Sequence, residues 1–372
     1  MDDRYIATML LHAVGDTIGF KNGDWEFFSK KSYNEALEKL YEFIDLGGIN
    51  NINLEGWNIS DDTLLHMAIG ESLLASYNSI DDLNSITVKN IIKTCDKIII
   101  DDEHGKKRYI GTAVKKHYIM LKKGDDWKKF SFDYLGGGSG SAMRCNCIGL
   151  AFYGKDNRDK LIQYAIDSGR MTHVNPIGWM GGVTVALFTA FAIENIPINK
   201  WIPLLIEILS SDTIKKYVDL NKTEELHAYE LFVQAWKTYY EYRFSNGIPS
   251  KTKSHTNPVQ RLVFYNNIFD TSLSGKEDMI SDKYGMSGYS VVIVAYDCLI
   301  DANNSWEKLV IYAMLNNFDS DTIGAIAGGL FGALYGFSGV PKNNIIHIES
   351  KESIIKMGSQ LYKKFYKREN VN

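Results

Sequence analysis

Two apolar stretches constrain this chain more than any other feature. Ile177–Ile193 (IGWMGGVTVALFTAFAI) and Ile323–Val340 (IGAIAGGLFGALYGFSGV) carry no charged residue, and each is close to the length at which an apolar helix can cross a bilayer. Both are dense in glycine and alanine, and the second follows at once on Asp319-Ser320-Asp321. Carboxylates at that boundary, without aromatic and basic flanks on both sides, favour helices buried on every face of a protein over membrane spans. No membrane partner is expected.

Helices buried all round need other helices to cover them, and the rest of the chain can supply them. Proline is scarce, 6 in 372 residues, and sustained period-two alternation is rare, so long helices are permitted almost everywhere. Helical spacing of apolar residues marks Tyr5–Val14, Thr63–Ser76, Ile86–Ile99, Ala142–Phe152, Lys160–Ser168, Pro176–Ile193, Glu224–Tyr242, Val291–Ile300, Trp306–Leu315, Thr322–Tyr335 and Ser353–Tyr366. Arg243–Lys253 and Ser272–Gly288 read as loops. The expected fold is all-α, one compact helical domain over residues 1–372, because no stretch has the composition of a tether and no repeat is apparent.

Composition narrows the function classes. Hydrophobic residues make up 45% of the chain and aromatics 12%, which excludes a disordered or disulfide-stapled scaffold. Lys plus Arg is 41 against 45 acidic residues, a net charge of −4, and the basic residues are scattered, so a nucleic-acid partner is not expected. The basic tail Lys363–Arg368 reads as a solvated final turn. Four cysteines outside any C-x-x-C pattern point to a reducing compartment. The acidic opening MDDRYIATMLLHAVGD is neither a secretory n-region nor a transit peptide, and a cytoplasmic address is expected.

The chemistry concentrates in two acidic clusters, each at a helix start: Ser60-Asp61-Asp62-Thr63 and Asp319-Ser320-Asp321-Thr322. Capping accounts for one such side chain per helix. The second cluster, however, leads into a helix too apolar for the surface, and burying extra carboxylates there is costly. A divalent cation removes that cost, since carboxylates, hydroxyls and water are the hard ligands that magnesium or manganese takes. In an extended segment ahead of a helix, residues two apart can point to one side, as Asp319 and Asp321 would. Two converging clusters supply enough carboxylates for a pair of ions about 3.5–4 Å apart.

Two further segments matter in combination. Gly136-Gly137-Gly138-Ser139-Gly140-Ser141-Ala142-Met143-Arg144 runs into a helical stretch, and such a run lets backbone amides approach an anion such as a diphosphate. It is neither a Walker loop nor a Rossmann fingerprint, and alone it reads as a flexible loop. Ser168-Gly169-Arg170-Met171-Thr172-His173-Val174-Asn175-Pro176 links two apolar helices, and His173 or Arg170 could reach a phosphate or serve only structure.

Taken together and in this order, these features resemble the ADP-ribosyl-glycohydrolase family, most closely its ADP-ribosylarginine hydrolase branch, to which the dinitrogenase-reductase-activating glycohydrolases are related. SDDT, GGGSGSAMR, SGRMTH and DSDT carry the resemblance, with Gly15-Asp16-Thr17-Ile18-Gly19, Asn22-Gly23-Asp24-Trp25-Glu26-Phe27, Cys147-Ile148-Gly149-Leu150, Ala295-Tyr296-Asp297 and Ser305-Trp306. The resemblance implies an all-α fold with two magnesium ions, manganese being possible, at the base of a cleft for ADP-ribose. It implies that Ser60, Asp61, Asp62 and Asp321 hold one ion and Asp319, Asp321 and Thr322 the other. Glu26 resembles the acidic residue of a mobile loop over the metals. Gly138, Ser139, Gly140 and Ser141 are expected to cradle the diphosphate beside His173. The implied reaction is hydrolysis of the bond between C1″ of ADP-ribose and an arginine guanidinium nitrogen of an ADP-ribosylated protein, with Asp61 or Asp62 taking the water proton or stabilising oxocarbenium character. A monomer is expected.

One stretch departs from the branch. Where it carries Gly-Ser-Ser-Gly-His-Asp-Ala-Pro, this chain reads Gly285-Met286-Ser287-Gly288-Tyr289-Ser290-Val291-Val292. Tyr289 is expected either to meet ligand at the cleft rim or to pack. The alternatives are a metal-dependent hydrolase of serine-linked, polymeric or O-acetyl ADP-ribose, a catalytically silent ADP-ribose-binding module, or a structural role like that of the crystallin recruited from this family.

Overall fold

The computed structural model describes residues 2–26, 33–250, 257–273 and 286–366. It is 73% helical with almost no sheet, and is all-α as expected. Both apolar stretches are central helices. Pro176–Ile193 is buried along all 18 residues. It starts where the Asn175 side chain accepts from the Ile177 amide at 2.9 Å and Pro176 occupies the first turn, a position where its missing N–H is no loss. Ser320–Tyr335 is buried from Ser320 to Ala333 and stops at Gly336, whose φ of +62° suits glycine.

The N-terminal helix Asp2–Phe20 runs antiparallel along Ser320–Tyr335, and small residues let the two backbones meet. A Cβ on Gly15 would lie 2.0 Å from the Gly324 carbonyl oxygen, and one on Gly324 would lie 2.5 Å from that of Gly15. Residues near the start of the chain are thereby set beside residues near position 320. Lys351–Leu361 packs on the other side of the N-terminal helix. Most apolar side chains form one core, with a smaller one around Leu65, Ile91, Cys95, Tyr118 and Met143. All four cysteines are buried and unbridged.

Several elements differ from the sequence reading. Ala142–Phe152 is not one helix but a tight turn, Ser139–Arg144, followed by Asn146–Ala151, because the Arg144 side chain turns inward to bind loop carbonyls. Tyr33–Asp45, Thr112–Lys122, Trp201–Leu209 and Pro258–Leu273 are helices that the spacing did not mark. The first expected loop contains a two-stranded ribbon, Phe244–Ser245 with Ile248–Pro249. Asn246 and Gly247 turn it, with φ of +52° and +75°, as a tight hairpin requires. Of the second expected loop, Ser272 and Leu273 end a helix, 286–288 are described, and 274–285 lie outside the described residues, as do Phe27, Lys367 and Arg368.

Candidate active site

Three remote pieces of chain deliver carboxylates to one place. Ser60 caps the helix Asp61–Leu74, its hydroxyl accepting from the Asp62 amide at 3.1 Å, so Asp61 and Asp62 stand in the first turn. Asp319 and Asp321 flank the start of Ser320–Tyr335. Between them, the Ser320 hydroxyl reaches the carbonyls of Gly19 at 2.8 Å and Trp25 at 3.0 Å, which brings Glu26 to the same wall. The chain reaches Trp25 through Lys21, Asn22 and Gly23, all left-handed. A cavity of about 190 Å³ is lined by Glu26, Asp61, Asp62, Asp319, Asp321 and Thr322, and on the facing side by Gly138, Ser139, Gly140 and His173.

Burial first, and then their neighbours' charges, raise the carboxyls of Glu26, Asp61, Asp62 and Asp321. Asp61 is raised by burial and by Asp16 and Asp319, although the Gly111 amide donates to it at 3.2 Å. Asp62 is raised by burial and by Asp16, Asp61 and Asp319, and Asp321 by burial and by Glu26, Asp319 and Asp62. Glu26 is raised by burial and by Asp319, Asp61 and Asp16. Each charge makes the others harder to keep, which is the expected behaviour of crowded carboxylates in a low-dielectric pocket. Oδ2 of Asp62 and Oε2 of Glu26 are buried without a hydrogen-bond partner, and such oxygens are expensive to leave unmade.

That donor set fits a hard divalent cation: carboxylate and hydroxyl oxygens, two of them orphaned, on one wall. Among the described residues no three such groups already close on a single point in ligating geometry. The carboxylates are instead taken up locally, Asp319 by the Ser139 hydroxyl at 2.9 Å and Asp321 by the Thr322 amide at 2.9 Å.

The glycine run forms the opposite wall. Its edge pairs with Met286–Gly288, where the Gly288 amide donates to the Gly137 carbonyl at 3.0 Å. His173 is placed beside it by Thr172, and burial with the Arg144 charge lowers its pKa well below the usual range. Tyr109, Leu135 and Met286 line the same cavity and remain 43%, 55% and 37% exposed, giving it an apolar rim.

Not every anticipated side chain faces this space. Ser60 serves the helix cap and is not on the lining. Ser141 is fully buried against Gly169 and Gly182, away from the lining. Tyr289 is 3% exposed and packs edge-on to Phe232 at 6.4 Å and against Phe269 at 6.1 Å. Of the two readings of Tyr289, its placement is that of a core residue. An aromatic ring before the apolar helix Ser290–Ala302 gains more from that cluster than from a wet rim. Arg170 opens onto a separate groove with Lys128 and Lys216.

Supporting residues lie behind the wall. Asp16 accepts from the Ser60 amide at 3.0 Å and the Thr63 amide at 3.2 Å, fixing the turn ahead of Asp61. The Arg108 carbonyl takes the Asp61 amide at 3.0 Å while its guanidinium pairs with Glu349 at 2.8 Å. Lys39, almost wholly buried, donates to the carbonyls of Trp25 and Asn316. Asp16 stood in a recognised segment; Arg108 and Lys39 had no sequence signal beyond being charged.

A sequence model described as ADP-ribosylglycohydrolase matches residues 1–371. A Dictyostelium discoideum protein named ADP-ribosylhydrolase ARH1 is 32% identical over 369 residues, covering 93% of this chain and 90% of that protein. An Acanthamoeba polyphaga mimivirus protein named "Putative ADP-ribosyl glycohydrolase L444" is 31% identical over 348 residues, 87% of this chain; the match spans 62% of the viral protein's length. The Mus musculus protein named ADP-ribosylhydrolase ARH3 is 24% identical over 344 residues, with 89% and 83% coverage. A solved structure described as an ADP-ribosylglycohydrolase-related protein complex shares the fold, with a TM-score of 0.60 at 16% identity over 97% of this chain and 98% of its own.

Proposed function

The chain belongs to the ADP-ribosylglycohydrolase family, and from that membership we propose that it hydrolyses the N-glycosidic bond between C1″ of ADP-ribose and an arginine guanidinium nitrogen, releasing ADP-ribose and restoring arginine. The observation that carries the reading is the single cavity walled by Glu26, Asp61, Asp62, Asp319 and Asp321 on one side and by Gly138–Gly140 with His173 on the other. The arginine linkage draws its support from the motif resemblance of SDDT, GGGSGSAMR, SGRMTH and DSDT.

Two magnesium ions, replaceable by manganese, would suit the carboxylate wall, with Asp61, Asp62 and Asp321 for one and Asp319, Asp321 and Thr322 for the other, while Ser60 stays the cap behind them. Such ions, when bound, neutralise the carboxylates, grip the ribose hydroxyls and lower the pKa of a water. The glycine-run amides and His173 hold the diphosphate, and the rim of Tyr109, Leu135 and Met286 covers the apolar parts of the ligand. The negative wall then favours the oxocarbenium character that grows at C1″ as the C1″–N bond lengthens. One carboxylate of the Asp61–Asp62 pair takes the proton of the attacking water, whose oxygen bonds to C1″. The bond's electron pair leaves with the guanidine, which regains a proton and becomes guanidinium. Glu26, at the edge of the wall, shields the reacting centre from bulk water.

The test is ADP-ribose release from arginine-linked and serine-linked peptides side by side, each with magnesium and with chelator. Magnesium-dependent release from the arginine-linked peptide is expected. Release from the serine-linked peptide alone would move the assignment to that linkage, and no release from either would leave a binding module.

A further inference from the structure

Behind the glycine wall a buried polar chain ends at the cavity. Arg144 is fully buried and donates from Nη1 to the Gly140 carbonyl at 3.0 Å, and from Nη2 to the Ser168 carbonyl at 2.6 Å and to Oγ1 of Thr172 at 2.8 Å. The same Thr172 oxygen lies 2.8 Å from Nδ1 of His173. Each contact constrains the next. A guanidinium has donors only, so Thr172 must accept from Arg144. Thr172 is itself fully buried, and the acceptor within reach of its own proton is Nδ1 of His173. A buried hydroxyl proton left unpaired is unfavourable. Nδ1 therefore accepts, and the imidazole proton resides on Nε2.

Nε2 lies on the cavity side. A Cβ on Gly140 would lie 2.6 Å from Cε1 and 2.9 Å from Nε2, and one on Gly138 would lie 3.9 Å from Nε2. Glycine at position 140 thus leaves room for the ring, and Arg144 holds both that loop and, through Thr172, the imidazole. We infer that Arg144 and Thr172 are positioning residues that fix His173 as an Nε2–H donor aimed into the cavity. The ring is then set to read an acceptor oxygen and is not available there as a base or a metal ligand. Burial and the Arg144 charge, which depress the ring's protonation, agree with a neutral imidazole. Resting on the proposed substrate, the acceptor is a diphosphate oxygen of ADP-ribose.

The test is heteronuclear NMR of the imidazole nitrogens in the full chain without ligand, joined to ADP-ribose titrations. A neutral His173 with its proton on Nε2 is expected. Thr172→Val removes the hydroxyl at nearly constant shape; it should release the ring into both tautomers and weaken ADP-ribose binding about tenfold, the scale of one hydrogen bond. Thr172→Ser should restore both. A proton on Nδ1 in the unaltered chain overturns the inference, as does an unchanged tautomer and affinity in Thr172→Val. If that variant does not fold, the tautomer of the unaltered chain decides. Since the nitrogen signals need no ligand, a chain with Nε2–H that fails to bind ADP-ribose sinks the substrate assignment and leaves this relay standing.

Discussion

The Lys39 ammonium donates to the Trp25 carbonyl at 2.8 Å, and to the Asn316 carbonyl at 2.6 Å, from a side chain that is almost completely buried. One cation thus ties the segment that carries Trp25 and Glu26 to the loop that leads into Asp319. Burial lowers its pKa to about 7 despite the opposing charges of Asp321 and Glu42. Lys39→Met strips the Asn316 carbonyl of this donor, leaves the Trp25 carbonyl to the Ser320 hydroxyl alone and cuts the tie between the two segments. A loss of about 2–4 kcal/mol is expected, measured as a lower urea midpoint at unchanged slope.

The close crossing of the helices Asp2–Phe20 and Ser320–Tyr335 has no room to spare at Gly324, where a new Cβ would meet the Gly15 carbonyl oxygen 2.5 Å away. Gly324→Ala should cost about 1–3 kcal/mol through overpacking. Thermal unfolding checks it, and an unchanged or raised midpoint would show that the two helices can slide apart freely.

Acid should loosen the turn before Asp61. Burial alone would raise the Glu349 carboxyl, but hydrogen bonds and charges from Arg108 and Lys106 reverse this and hold it at about 2. Its native pKa is below the ordinary 4.5, so the pair's stabilisation is present above that value and is lost as pH falls from there towards 2. Discounted for partial exposure, it amounts to about 1–2 kcal/mol. Glu349→Gln should remove this part of the acid dependence, read from denaturant midpoints across that pH window.

Tyr289 offers a contrast between packing and binding. Tyr289→Ala should cost about 3–5 kcal/mol by emptying its place between Phe232 and Phe269. Tyr289→Phe should leave ADP-ribose affinity unchanged in calorimetric titration; a marked loss would return Tyr289 to the ligand.

Asp62→Asn and Asp321→Asn should each lower ADP-ribose release by about a hundredfold or more, and calorimetry should show magnesium heat in the unaltered chain but not in the variants. Chelation of the unaltered chain should abolish turnover. Unaltered magnesium binding in both variants would place the metals elsewhere.

Much of the wall was legible because its residues announce themselves locally. Asp61 and Asp321 stand at helix starts, where caps and short polar spacing are readable, and the glycine run is visible as composition. Tyr289 could not be placed, since a tyrosine suits a wet rim as well as a core and only Phe232 and Phe269 decide between them. Arg144 lay inside a recognised motif, yet its role depends on Thr172 and Ser168, whose positions come from packing. The helix Tyr33–Asp45, which carries Lys39, was legible in apolar residues at 33, 36, 37, 40, 41 and 44 yet went unmarked, and nothing in that pattern shows that Lys39 turns inward. Asn246-Gly247 carried a hairpin signal, but the strands it joins are only two residues long.

The antiparallel seam between Asp2–Phe20 and Ser320–Tyr335 also sets a timetable. During synthesis the first helix emerges long before its partner exists, and its buried face must wait, shielded by transient contacts or chaperones, for some three hundred residues to be added. A ribosome-bound fragment that stops short of Asp319 therefore holds half a reaction centre, and competence arrives abruptly, late, and all at once.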